Sequence, residues 1–453
     1  MSVLREALTV SRRRGLVPFL AVLLICLGVP LAFAPWRRQV FAPLKIQVLE
    51  FLIGIGLLAI GVSVVRGRGY GVRFVPSVDL AVAVFGVVNL LAYARSLDRS
   101  SSWQGEFPEY QGLATVLAYL AAYLLARVAF TASPGTTRPW PLDALFGALT
   151  VTTGVIGGYG TLQRLGLDPL WGFLERPCAT VGQANSMAAM LVVGLPAVAS
   201  TYVARRGWVR WAAAVAGALG LLGLLTSLSR GGWLAALAVG GVGLTLLWQR
   251  TFRGVIIGAV TFAVIVAAGL ATLPSGRAAI SQAAERVTAA GHTEATSTAK
   301  HLALARIGVA VTLDHPWLGI GQEVFPQVAQ RYADTHLPRA EADLLRPRRS
   351  ESPHNALLSI SAGAGLPALL AYLTLLGAVA RRMLAARRSA DVHAATVLMI
   401  MTGYLVSSLF MTPEVSSTVV QWVVLGAACS AVSPVRTGRD RNVFGPRPGV
   451  TDG

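Results

Sequence analysis

The sequence predicts an all-α polytopic membrane protein of about twelve transmembrane helices with one large, partly helical external loop. Three observations carry that expectation. The chain has 453 residues, of which 54% are hydrophobic and only 13% charged, whereas charged residues make up roughly a quarter of soluble domains. Apolar runs recur along it, each long enough to cross a hydrocarbon core of roughly 30 Å as a helix. One polar stretch, Pro274 to Asn355, interrupts that series, and long loops in compact proteins are more often functional than ornamental.

The runs cover residues 16–35, 43–65, 78–94, 112–133, 142–160, 185–203, 211–227, 231–248, 254–273, 356–379, 392–411 and 417–433. The first exceeds a signal-peptide core and is followed by Trp36-Arg37-Arg38 rather than a small-residue cleavage site, so it reads as a retained helix. No linker or composition shift divides the chain, which reads as one membrane domain, 1–453, carrying the loop 274–355 between its ninth and tenth helices. Among the external connections, 36–42, 228–230 and 412–416 are tight, while 95–111 and 161–184 are longer.

The net charge of +18 would suit a nucleic-acid binder, but its placement points to a membrane instead. Arg12 to Arg14, Arg66, Arg68, Arg73, Arg205, Arg206, Arg210, Arg250, Arg253, Arg381, Arg382, Arg387, Arg388, Arg436, Arg439 and Arg441 fall on alternate connections. By the positive-inside rule those connections and both termini are cytoplasmic, and the loop 274–355 is external. Its nine basic and eight acidic residues nearly cancel. Arg37 and Arg38 alone break the pattern, on one short external connection. Three cysteines are too few for a disulfide framework. Six histidines show no His-x-x-x-His spacing on a helix, so no metal or other cofactor is expected.

Within the loop, Thr296 to Asp314 mixes apolar and polar residues at helical spacing and opens on two good capping residues, Thr296 and Ser297. His315-Pro316 stops it and Gly319-Ile320-Gly321 turns the chain. Leu337 to Arg349 reads as a polar helix or a solvated loop, and the whole could lie on the outer bilayer surface.

Arg230, in Leu228-Ser229-Arg230-Gly231-Gly232-Trp233, sits between two apolar runs with almost no polar spacer. A cation at bilayer depth costs roughly 2.5 to 3.5 kcal/mol, less near the interface. Two readings follow: a guanidinium that clamps a phosphate beside two glycines, or a snorkelling anchor with Trp233 as an interface aromatic. His354, in Ser352-Pro353-His354-Asn355, lies where the loop re-enters the membrane. Histidine suits proton transfer from a hydroxyl near neutral pH. The same residues also read as a plain helix start, with Ser352 as the cap and Pro353 in the first turn. Glu351 could orient His354. Lys300, His301 and Arg306 in the loop helix, and Arg176 ahead of Gly182-Gln183-Ala184-Asn185, are further basic candidates. Alone, each is more simply a solvated charge.

The motifs Ser229-Arg230-Gly231-Gly232-Trp233, Asp314-His315-Pro316-Trp317-Leu318-Gly319-Ile320-Gly321, Pro353-His354-Asn355 and Gly363-Ala364-Gly365-Leu366-Pro367 resemble the O-antigen ligase family of bacterial membrane glycosyltransferases. Gly182-Gln183-Ala184-Asn185-Ser186-Met187-Ala188 is similar to that family's Asn-Ala segment. The superfamily also holds O-antigen polymerases and protein O-oligosaccharyltransferases. The resemblance implies transfer of a glycan from undecaprenyl diphosphate to an acceptor hydroxyl, such as lipid A core, at the outer face of the inner membrane. It implies a diphosphate held by basic residues and a histidine that assists the acceptor, without a metal. Arg230 matches the family's helix-junction arginine and His354 its histidine. Where the family has a second arginine at the start of the loop helix, this chain reads Lys300-His301. Either Lys300 carries that charge, or Arg306 does so from further along.

The residues agree with such chemistry. A glycosyl diphosphate contains its own leaving group, so a protein need only stabilise charge on the departing phosphate and position a hydroxyl. No acidic pair of the glycosidase kind stands out. A polymerase using a second lipid-linked glycan is the nearest alternative. A lipid-linked glycan flippase or secondary transporter is an alternative of another class, although such proteins place charges near the bilayer midplane and show internal repeats.

Overall fold

The computed structural model describes residues 15–67, 70, 72–131, 140–246, 292–343, 345–346, 352–387 and 392–431, which form fifteen helices and no strand. They are α1 (Leu16–Leu31), α2 (Ala42–Val65), α3 (Pro76–Ala94), α4 (Arg99–Gln104), α5 (Leu113–Ala129), α6 (Trp140–Leu165), α7 (Ala184–Ala204), α8 (Trp208–Thr226), α9 (Arg230–Leu246), α10 (His292–Asp314), α11 (Phe325–His336), α12 (Arg339–Asp343), α13 (Ala356–Arg387), α14 (Val392–Ser408) and α15 (Val415–Ala431). Eleven of the twelve apolar runs coincide with helices, and the run 254–273 lies outside the described residues, as do both termini and residues 274–291. Six helices, α2, α3, α6, α7, α8 and α13, are long and apolar enough to cross a membrane. Five more, α1, α5, α9, α14 and α15, are apolar but shorter. At 1.5 Å per residue a 17-residue helix spans about 25 Å. The chain is an all-helical, polytopic membrane protein.

Local chemistry sets the helix ends. Proline occupies the first turn of α2 and of α3, where its missing N–H is not needed. Asp79 in the first turn of α3 accepts from the Val75 N–H at 2.6 Å. Asp98 caps α4 through the N–H groups of Ser100 and Ser101. The apolar run 16–35 predicts one span, but the helix stops at Leu31, where Ala32 turns to extended backbone just after Pro30.

One apolar core joins the bundle. Within it α6 and α8 meet almost backbone to backbone. A Cβ on Gly157 would lie 2.3 Å from the Leu219 carbonyl oxygen, and one on Gly223 2.6 Å from the Gly157 Cα. Small residues at such crossings are the membrane solution to close packing, since lipid is as apolar as leucine. At the end of α3 away from the loop, Arg127 pairs with Asp79 at 3.0 Å and donates to the Arg73 carbonyl at 2.8 Å, with Tyr123 donating to the same carboxylate. A charge this buried needs such partners.

The described part of the loop has its own apolar core, built from Leu304, Ile307, Val311, Val324, Phe325 and Val328 among others. α10 begins at His292, so Thr296 and Ser297 lie inside the helix rather than at its start; Glu294 and Ala295, both good helix formers, precede them. The face carrying Ala303, Leu304, Ile307 and Val311 is turned onto α11 and α13, while Leu302, Val309 and Leu313 remain exposed. Among the described residues of the Leu337 to Arg349 segment, five form a helix, α12, and Arg346 bridges Asp334 and Asp343.

The loop is docked through the two glycine motifs. The Ile320 and Gly321 N–H groups donate to the carbonyls of Ala362 and Gly363 at 2.9 and 3.0 Å, and the Leu366 N–H donates to the Pro316 carbonyl at 2.7 Å. Gly365, at φ 82, breaks α13 and frees those carbonyls. A Cβ on Gly319 (φ 63) would lie 2.4 Å from the Ala362 oxygen, so only glycine fits this contact.

Candidate active site

The connections at the loop end of the bundle converge. Thr180 donates to the Pro30 carbonyl, Gln183 to Glu109, and the Leu97 N–H to the Ile320 carbonyl. The turn before α15 carries Thr412, which touches His354. These contacts gather the ends of α1, α3, α6 and α14 around the re-entry segment 352–355.

His354 is fixed from three directions. Its backbone is left-handed, φ 49, a conformation that costs an L residue about 1–2 kcal/mol. Its N–H donates to Ser352 Oγ at 3.1 Å, and its Nδ1 lies 3.0 Å from Thr412 Oγ1. The Thr412 and Ser352 hydroxyls are themselves 2.7 Å apart and both residues are buried. With the proton on Nδ1, His354 donates to Thr412, Thr412 donates to Ser352, and Nε2 is left as an acceptor. Asn355, not Ser352, caps α13: its Oδ1 accepts from the N–H groups of Leu357 and Leu358 at 3.0 and 3.1 Å. The left-handed turn at His354 sets the cap three residues beyond Ser352 and frees Ser352 to hold the histidine. Glu351 lies outside the described residues.

His301 meets His354 edge to face, ring centroids 4.6 Å apart at 69°. α10 delivers it along a stripe: Gly308, two turns on, packs against Pro353 and Leu358, and Thr312 bonds Ser361 at 2.9 Å. Burial, then the neighbouring His301 and Lys300, hold the His354 imidazole down at about 4. Burial, then Lys300 and Arg176, lower His301 as well. Both rings are therefore neutral near pH 7. Lys300, Arg176, His301 and His354 form one electrostatic group.

Arg176 donates to Asn185 Oδ1 at 2.8 Å, at the start of α7. Its connection is pinned by α6, where Gln163 accepts from the N–H groups of Cys178 and Ala179 and Arg164 donates to the Glu175 carbonyl. Burial pushes the Cys178 thiol up to about 11, which makes it a poor nucleophile. Arg230 is the first residue of α9. Leu228, left-handed at φ 53, reverses the chain, and Ser229 Oγ caps the helix through the Gly232 N–H at 3.2 Å. Gly231 packs on Phe410, two residues before Thr412, and Gly232 packs on Ala188, one turn past Asn185. Arg230 thus stands between the segments that hold His354 and Arg176. A helix N-terminus with an arginine on it favours an anion. Arg306 is placed apart from this group: its guanidinium is held by Glu341 at 2.7 Å. Among the described residues no three His, Cys, Asp or Glu side chains gather as metal ligands.

Residues 215–373 match the family model described as O-antigen ligase. This segment belongs to the O-antigen ligase family. It runs from α8 into α13 and contains Arg230, Lys300, His301, Arg306 and His354, while Arg176 and Thr412 lie outside it. The match supports a membrane glycosyltransferase of the O-antigen ligase and polymerase superfamily. No curated protein matches the chain. Thr412 was missed because nothing in its own neighbourhood marks it. Its role comes from a contact with a residue 58 positions away.

Proposed function

We propose that this O-antigen ligase family protein moves a glycan from undecaprenyl diphosphate to a hydroxyl of lipid A core at the outer face of the bacterial inner membrane. The observation that carries the reading is a neutral, rigidly held histidine beside a group of cations. The acceptor oxygen attacks the anomeric carbon and its proton passes to His354 Nε2. The bond from that carbon to the phosphate oxygen breaks, and its electron pair leaves with the diphosphate. Arg230, Arg176 and Lys300 bear the charge that builds there. Arg306, paired with Glu341, is set apart from that group. A bound dianion also offsets Lys300 and so raises the proton affinity of His354 at the moment it is needed.

Reconstitution with a lipid-linked saccharide and candidate acceptors tests the reading. Sugar on lipid A core is the expected product; a longer lipid-linked chain would make the protein a polymerase, and intact donor carried across the bilayer a flippase. Arg230→Lys should reduce donor use by about tenfold or more, since a point charge cannot reproduce a bidentate clamp. Unchanged donor use would leave Arg230 as an anchor only. The pH profile offers a further check. Because His354 is held at about 4, the acid limb of kcat/KM should lie well below the ordinary histidine value. Lys300→Gln removes a positive neighbour, so the limb should move to higher pH. A limb that stays put would mean that His354 does not titrate in the rate.

A further inference from the structure

A cavity of about 310 Å³ opens beside the candidate active site, lined by Phe41, Lys45, Glu109, Tyr110, Gln183 and Glu414 among others. It shares two walls with that site. Ser186, next to Asn185, is in one, and Glu414, two residues past Thr412, is in the other. Its volume lies at the lower end of the roughly 300–1,000 Å³ typical of small-ligand sites.

The lining differs in kind from the cation group next door. Two carboxylates, Glu109 and Glu414, face two cations, Lys45 and Arg38, so opposite charges balance and neither a phosphate nor a cation is favoured. The groups are also fixed. Glu109 is buried and accepts from Gln183 Nε2 at 3.1 Å. Glu414 caps α15 through the N–H groups of Ser416 and Ser417 at 2.7 and 3.2 Å. Lys45 is 1% exposed and spends two of its three N–H donors on the carbonyls of Val29 and Pro30, at 3.1 and 2.9 Å. Phe41, packed against Trp171 with centroids 6.0 Å apart, and Tyr110 add aromatic surface. Fixed carboxylates and an amide to accept from hydroxyls, an ammonium to donate, aromatic rings for C–H faces and no net charge together match a neutral polyol.

We propose that this cavity is a saccharide subsite that seats the sugar nearest the reacting bond, from either the donor glycan or the acceptor glycan. The inference rests on the glycan transfer proposed above. Two variants test it in protein reconstituted in lipid nanodiscs: Glu109→Gln, and Gln183→Leu at an exposed position that burial does not constrain. The expected result is a rise of about tenfold in KM for one glycan substrate, the scale of one lost charge-assisted hydrogen bond, with kcat and binding of sugar-free undecaprenyl diphosphate unchanged. A rise confined to the donor KM assigns the donor sugar, and one confined to the acceptor KM assigns the acceptor. Calorimetric titration of the water-soluble oligosaccharide released from the donor separates the two proposals, because it reads binding without turnover. Binding that weakens in the variants supports the subsite even if no transfer is observed. Unchanged KM values in both variants, or no oligosaccharide binding by the wild type where transfer also fails, would overturn it.

Discussion

Replacing His354 by alanine is expected to lower glycan transfer by about 10²- to 10⁴-fold, the usual contribution of a positioned general base, while leaving the protein folded. The structure separates the two effects. The helix that follows is capped by Asn355, whose bonds to Leu357 and Leu358 do not involve the imidazole. Thr412 and Ser352 keep each other as partners when the ring is gone, so no buried hydroxyl is stranded. The loop stays docked through Ile320, Gly321 and Leu366. Transfer measured at matched protein levels, alongside the thermal unfolding midpoint, checks the expectation. Near-wild-type transfer would remove His354 from the chemistry and leave it as a turn residue.

Gly319→Val is expected to do the opposite and cost both fold and function. The new Cβ would sit 2.4 Å from the Ala362 oxygen and 2.5 Å from the Gly363 carbonyl carbon, and both are backbone atoms that no side-chain rotation can move away. The residue would also be β-branched at φ 63. Overpacking and left-handed strain together amount to roughly 2–5 kcal/mol. The relief available is to lift the 315–321 turn off α13, which unseats α10 and with it His301. A lower unfolding midpoint, faster proteolysis within the loop and reduced transfer should appear together. A variant with wild-type midpoint and transfer would show that the turn is not seated on Ala362.

The sequence revealed the apolar runs because helices in lipid must be apolar along their whole length, and this signal needs no partner. It also pointed to Arg230 and His354, since a cation or a histidine at a helix junction stands out against apolar flanks. What it could not supply were pairings. Arg306 looked like a substitute for a missing arginine, but Glu341, 35 residues on, holds it. The motifs 314–321 and 363–367 stand apart in the sequence, yet they form one contact. The cap of α13 lies three residues beyond Ser352 because the left-handed turn at His354 follows from Thr412 and Ser352, and not from local propensity.

The close crossing of α6 and α8 has a consequence for how such a site can change over time. Arg176 and Arg230 extend from connections attached to that tightly packed group of helices, whereas Lys300, His301 and His354 are carried by the loop and the helix it re-enters. Under the proposed chemistry, most of the grip on the leaving group and the handling of the incoming hydroxyl rest on separate supports. A lineage can therefore retool the loop for a new acceptor while inheriting its hold on the lipid carrier intact.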